Sequence, residues 1–120
     1  MIRLLLVDDD PTVRCGLRMR LELEHDMTVV AEAGDGEAAL TVAARIAPDV
    51  VVLDARMPRL DGFDAAAALG RRSPGPAVVI LSMYDNPVAR ARAAECGAAE
   101  FVGKHEPCDA LVEAIRAAAA

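Results

Sequence analysis

The sequence predicts an α/β fold in which a five-stranded parallel sheet is doubly wound, with helices on both faces. Short, mostly apolar runs alternate with longer stretches whose apolar residues recur at helical spacing. Such runs are strands buried on both sides, the condition of a parallel sheet sandwiched between helices. The segments are joined by short connections, with no linker, low-complexity tract or repeat, and 120 residues suit one domain.

Ile2–Val7 opens the pattern as a buried strand. Pro11–Glu24 follows as a helix with Val13, Leu17 and Leu21 at fourfold spacing, Asp10 as its N-cap and Pro11 at the first helical position. Thr28–Ala33 reads as the second strand. Gly36–Ala47 reads as a helix capped by Asp35, with Ala39, Val42, Ala43 and Ile46 on one face. Asp49–Asp54 is the third strand, apolar on both faces through Val50, Val51, Val52 and Leu53. Asp64–Gly70 is a short helix and Ala77–Leu81 a strand. Pro87–Cys96 is a helix closed by Gly97. Ala99–Val102 is the last strand, and Pro107–Ala119 the last helix, with Leu111, Ile115 and Ala118 inward. Pro48, Pro76 and Pro107 fall at element starts, where a missing N–H costs little.

Composition narrows the function. Apolar residues are 54% of the chain but aromatics only 2%, so the core is aliphatic. A net charge of -6 without a basic run argues against direct binding of nucleic acid or anionic membrane. Cys15, Cys96 and Cys108 lack metal-type spacing, and reduced thiols are expected. The apolar N-terminus is too short for a secretion signal, so a cytoplasmic location is expected. Among 12 Arg there is a single lysine, Lys104.

In such a sheet, ligands bind beyond the carboxyl ends of the strands. Asp8, Asp9 and Asp10 follow the first strand, Asp54 ends the third, Ser82 follows the fourth and Lys104 the fifth. The second strand, expected at an edge, offers only Glu32 and Asp35. Taken singly, each has a plainer reading: a helix cap for Asp10, solvated loop acids for Asp8 and Asp9, a turn residue for Asp54, a common strand-end serine, a surface lysine. Jointly they converge on one edge. Clustered carboxylates take up protons or bind a hard cation, and an all-oxygen set favours Mg²⁺ over zinc. A cation, an ammonium and a hydroxyl around one carboxylate are what an acyl phosphate on that carboxylate requires.

Val7-Asp8-Asp9, Leu53 to Pro58 with Asp61-Gly62, Leu81-Ser82 and Phe101-Val102-Gly103-Lys104 stand in an order and spacing that resembles the response-regulator receiver family of two-component systems. Val13 to Leu17, Arg56-Met57-Pro58, Leu81 to Asp85 and Glu95 to Lys104 resemble its NarL/FixJ branch, of LuxR type. The resemblance implies a flavodoxin-like sheet of order 2-1-3-4-5 and a receiver domain over residues 1–120, with any C-terminal helix-turn-helix output domain absent from this chain. It implies that Asp54 takes a phosphoryl group from a sensor histidine kinase. Asp8, Asp9, Asp54 and the Arg56 backbone carbonyl would hold Mg²⁺. Lys104 would pair with the phosphoryl group, Ser82 would be the switch hydroxyl and Phe101 the switch aromatic. Met57-Pro58 and Asp61-Gly62 would shape the loop after Asp54. Homodimerisation on phosphorylation and control of transcription through the output domain are further implications, with DNA contacted only by that domain, no membrane partner, and phosphotransfer onto the chain's own Asp in place of turnover.

Two positions depart from the family pattern. His105 stands where many members carry a cis proline; a non-proline cis bond costs about 3–4 kcal/mol, and the sequence leaves the isomer of Lys104–His105 open. Phe101 lacks a tyrosine's hydroxyl. Rival classes fit less well. Phosphatases with an aspartate nucleophile need a general acid two residues on, where Arg56 stands, and a flavodoxin-like cofactor binder needs Ser/Thr/Gly-rich loops and aromatics that the chain lacks. A degenerate receiver would have lost an acid or the lysine.

Overall fold

The computed structural model describes every residue except Pro58, Ser73 and Pro74, so the expected contribution of Pro58 to the loop after Asp54 lies outside the described residues. The strands are β1 (Ile2–Val7), β2 (Met27–Ala33), β3 (Val50–Asp54), β4 (Ala77–Ser82) and β5 (Glu100–Gly103). The helices are α1 (Pro11–Leu21), α2 (Gly36–Ile46), α3 (Gly62–Gly70), α4 (Pro87–Glu95) and α5 (Cys108–Ala119). All strand pairings are parallel and the order is β2-β1-β3-β4-β5, as the sequence predicts.

The strand period of two divides the core into two layers. Leu5, Val7, Val51, Leu53, Val78 and Ile80 point to the side of Ala39, Ala43 and Leu69 from α2 and α3. Leu4, Leu6, Val50, Val52, Val79 and Leu81 point to the side of Leu21, Leu111 and Ile115 from α1 and α5. β3 is buried along its whole length and ends at Asp54, which delivers a carboxylate to the centre of the carboxyl edge.

Helix starts follow side-chain capping. Asp10, Asp35, Asp61 and Asn86 each accept a backbone N–H at 2.8–2.9 Å from the first turn of α1, α2, α3 and α4. The Asp61 cap sets the start of α3 at Gly62, two residues before the expected Asp64. α1 ends at Leu21, short of the expected Glu24, because the N–H groups of Leu23 and Glu24 fall back three residues, to the carbonyls of Arg20 and Leu21. The chain then enters β2 at Met27, a buried side chain that extends the strand one residue beyond the expected Thr28. β5 runs to Gly103, which pairs with Ser82. Gly97 takes φ 84° just past α4, as expected of a helix-closing glycine.

The helices are not equally anchored. α5 buries Leu111, Val112, Ala114 and Ile115, whereas α4 buries only Ala93. The three cysteines are free, Cys15 and Cys108 exposed and Cys96 half-buried. No helix among the described residues is long and apolar enough to cross a membrane.

Candidate functional site

The carboxyl edge of the sheet opens into a cavity of about 360 Å³ lined by Asp8, Asp9, Asp54, Arg56, Ser82 and Lys104, among others. The strand ends thus bring together six of the seven residues singled out from the sequence. Asp8 is 2% exposed and Asp54 8%, while Asp9 is exposed. One carboxylate oxygen from each of the three lies within 4.8 Å of the others.

Lys104 reaches across from the end of β5. Its Nζ donates to Asp8 Oδ2 at 3.2 Å and sits 3.2 Å from Asp54 Oδ2. The other oxygen of each carboxylate takes a backbone N–H, Asp8 Oδ1 from Asp10 at 2.9 Å and Asp54 Oδ1 from Arg56 at 3.3 Å. Burial is the main influence on Asp54 and pushes its pKa above the ordinary carboxylate value; Lys104 opposes the rise and Asp8 adds to it. Burial also works against the charge on Lys104, but Asp54 and Asp8 outweigh it and raise the ammonium pKa. The pair is unequal: the lysine stays charged, and the carboxylate is held in a place that disfavours its charge. That unfavourable charge, on an oxygen-only donor set, is what a hard divalent cation relieves, so Asp8, Asp9 and Asp54 fit Mg²⁺.

Ser82 is buried, and its hydroxyl is turned onto its own loop: Oγ donates to the Tyr84 carbonyl at 2.9 Å and accepts the Tyr84 N–H at 3.0 Å. The Lys104 N–H donates to the Ser82 carbonyl at 2.7 Å, tying the ends of β4 and β5 together. Phe101, the seventh residue, lies outside the cavity, half-buried, with the Arg90 guanidinium 4.9 Å from its ring centroid. Arg90 also holds Asp85 through two hydrogen bonds of 2.7 and 2.9 Å, which keeps the Asp85 carboxyl below its usual pKa.

Glycines set the approach of the loop after Asp54. The Gly62 N–H donates to the Ala55 carbonyl at 3.0 Å. A Cβ at Gly62 would overlap the Asp54 carbonyl oxygen, and one at Gly36 would overlap the Leu60 carbonyl oxygen, so the loop lies pressed between β3 and α2.

Sequence reasoning missed three supporting residues. Arg14 donates to the Asp8 carbonyl and, through Nε, to Glu32 at 3.1 Å, fixing the loop that carries the acids. The Glu106 carboxylate accepts the Gly103 N–H at 2.7 Å beside Lys104. Arg90 is the third. Arg14 falls in a stretch that already marked the branch, but nothing local in the chain announces the reach of a long side chain.

A family model described as response regulator receiver domain matches residues 4–116. The transcriptional regulatory protein YxjL of Bacillus subtilis is 38% identical over 118 residues, which cover 98% of this chain and 54% of that protein. The nitrate/nitrite response regulator protein NarP of Escherichia coli is 38% identical over 117 residues, 98% of this chain and 54% of that protein. Among solved structures, a LuxR-family two-component response regulator from Aurantimonas sp. SI85-9A1 superposes with a TM-score of 0.91 at 34% identity, covering 96% of this chain and 82% of that one. The chain spans about half the length of these two curated relatives.

Proposed function

Because the chain belongs to the response regulator receiver domain family, among regulators of NarL/LuxR type, we propose that it accepts a phosphoryl group from a sensor histidine kinase on Asp54 and passes the change to an output module by shifting between two packed states. One observation carries this reading. A single ammonium, Lys104, stands 3.2 Å from two buried carboxylates, one of which ends the central strand.

In the transfer, an Asp54 oxygen forms the bond to phosphorus as the bond to the donor's imidazole nitrogen breaks, and that nitrogen keeps the electron pair. Lys104, already placed between Asp8 and Asp54, neutralises charge on the phosphoryl oxygens. Asp8, Asp9, Asp54 and the Arg56 carbonyl would hold Mg²⁺, which when bound offsets the repulsion between the carboxylate and the incoming anion. Ser82 becomes the switch hydroxyl: to reach a phosphoryl oxygen it gives up the Tyr84 carbonyl, and the loop between β4 and α4 follows. Phe101 and its Arg90 cap respond next, so that the face of α4, β5 and α5 reports the state. Homodimerisation, DNA binding through a separate output domain, residues 1–120 as the receiver unit and a cytoplasmic location complete the proposal. The protein turns over no substrate: its own side chain is the acceptor, and Arg56 stands where an aspartate-type phosphatase needs an acid.

Intact mass after incubation with acetyl phosphate and Mg²⁺ tests the assignment. One added phosphoryl group is expected on the parent chain and none on Asp54→Asn. An equal adduct on the variant would remove Asp54 from the role.

The lifetime of the phosphorylated state has its own determinant. The Arg56 guanidinium lies 4.7 Å from the Tyr84 ring centroid, and both side chains line the cavity. Such a lid keeps attacking water from the acyl phosphate. The Arg56→Ala, Tyr84→Ala double variant should shorten the dephosphorylation half-life about tenfold, a change of ~1.4 kcal/mol in barrier. A half-life close to the parent's would discard the lid.

A further inference from the structure

The lid is also a partition. Beyond it lies a second cleft of about 430 Å³, bounded by Arg56, Phe63, Tyr84, Asn86, Val88 and Arg92. The two cavities share Ala55, Arg56, Ser82 and Tyr84 as a common wall. The acidic cavity has Lys104 on one side; the second cleft has two guanidiniums, each laid over an aromatic ring. Arg56 is 4.7 Å from the Tyr84 centroid and Arg92 is 4.3 Å from that of Phe63. Stacking of this kind fixes the guanidinium plane and leaves its N–H edge free for a planar anion. The only carboxylate paired with either group among the described residues is Asp61, 3.7 Å from Arg92 and too long for a hydrogen bond.

We propose that this cleft is a subsite for the carboxylate half of a small acyl-phosphate donor, with Arg92 and Arg56 as its anion-binding residues. The inference rests on Asp54 being the phosphoryl acceptor. In the transfer, an Asp54 oxygen bonds to phosphorus while the phosphorus–oxygen bond to the acyl group breaks. The electron pair leaves on the carboxylate product, which needs no proton. That product is an anion released beside Asp8 and Asp9, on a chain of net charge -6. Paired guanidiniums across the partition offset the repulsion and present the bidentate geometry a carboxylate takes. A donor whose leaving group departs as neutral ammonia makes no such demand. The subsite therefore selects donors by the charge of the leaving group.

The test compares acetyl phosphate with phosphoramidate. For each donor, the rate constant of Asp54 phosphorylation is read by intact mass, and the acetyl phosphate to phosphoramidate ratio is the observable. Arg92→Gln should lower this ratio about tenfold, the loss of one charge-assisted hydrogen bond, and Arg92→Lys should restore part of it. Arg45→Gln, an exposed position on α2, makes the same change in net charge elsewhere. A ratio unmoved by Arg92→Gln, or moved equally by Arg45→Gln, overturns the subsite. A second readout needs neither metal nor turnover: Tyr84 is the sole tyrosine and there is no tryptophan, so its fluorescence reports on the partition. With EDTA present, acetate should change it saturably in the parent and not in Arg92→Gln; the same titration curve in both would count against the subsite. If the parent takes no phosphoryl group from either donor, the acceptor reading and the subsite fall together. If it takes one from both and only the ratio is insensitive, the subsite alone falls.

Discussion

Asp54→Asn is expected to abolish phosphoryl uptake and, in the same protein, to raise stability at neutral pH when no metal is present. Burial holds the Asp54 pKa above its ordinary value despite the nearby ammonium. A carboxyl whose folded pKa exceeds its unfolded value binds its proton more tightly in the folded chain, so stability falls as pH rises between the two. The penalty is absent below the unfolded value, about 3.9, and complete above the folded one. Lys104, whose pKa is raised from an already alkaline value, stays charged throughout this window. An amide at position 54 carries no such penalty. The stability gap between variant and parent should widen from about pH 4 to pH 7 and reach on the order of 1 kcal/mol, as when a poorly compensated buried charge is replaced by a neutral group of similar shape. Urea unfolding in EDTA at both pH values measures it. A variant less stable than its parent at pH 7 would mean that the ammonium, not burial, governs the site. Excess magnesium should then narrow the gap, because a ligand bound by the folded parent stabilises it by mass action.

Gly62→Ala should have the larger cost in stability, about 3 kcal/mol, because the added methyl group meets backbone and not a side chain that can swing away. It would overlap the Asp54 carbonyl oxygen and come within 2.8 Å of the Ala55 Cα. Relief requires the end of β3 to move, so phosphoryl uptake should slow even in the folded fraction. Gly16→Ala is the counterpart. Gly16 lies inside α1, where an added methyl group would find nothing within 4 Å, and the change should stabilise by about 0.5–1 kcal/mol. Urea midpoints shifted equally by the two substitutions would show that the close approach at Gly62 carries no weight.

Much of the fold is legible in the sequence because its determinants are local. Short runs rich in Val, Leu and Ile, the last reduced to Phe101-Val102, and the helical patterns between them define the sheet and its cover. The acids, serine and lysine at the strand ends then fall at one edge by topology alone, and the structure brings Asp8, Asp54, Ser82 and Lys104 to one cavity. Other features depend on distances between elements that periodicity does not encode. The Ser82 hydroxyl engages the Tyr84 backbone, a choice made by one side-chain torsion. Arg14, Arg90 and Arg92 each span a gap between elements, and the reach of a long, flexible side chain leaves no pattern in the chain. The end of α1 departs from the helical pattern for a similar reason. Glu22 and Glu24 have good helical propensity, but their carboxylates face Arg18, Arg20 and Arg116, and the chain must turn there to enter β2.

The uneven anchoring of the helices sets where a signal of limited size can act. On the proposed function, a phosphoryl group on Asp54 would supply a bias of about a few kcal/mol, enough to invert a two-state equilibrium only if the states are already close in free energy. α5, with four side chains in the core, would have to surrender most of its burial to move. α4 keeps one alanine there, and otherwise holds on through exposed arginines: the Arg90 stack on Phe101, the Arg90–Asp85 pair and the Arg92 stack on Phe63. Its amide protons should accordingly exchange with solvent by local opening, well below the free energy of global unfolding. The helix next to Ser82 is thus less costly to displace than α5, and its loose attachment is built into the fold itself, whether or not Asp54 carries a phosphoryl group.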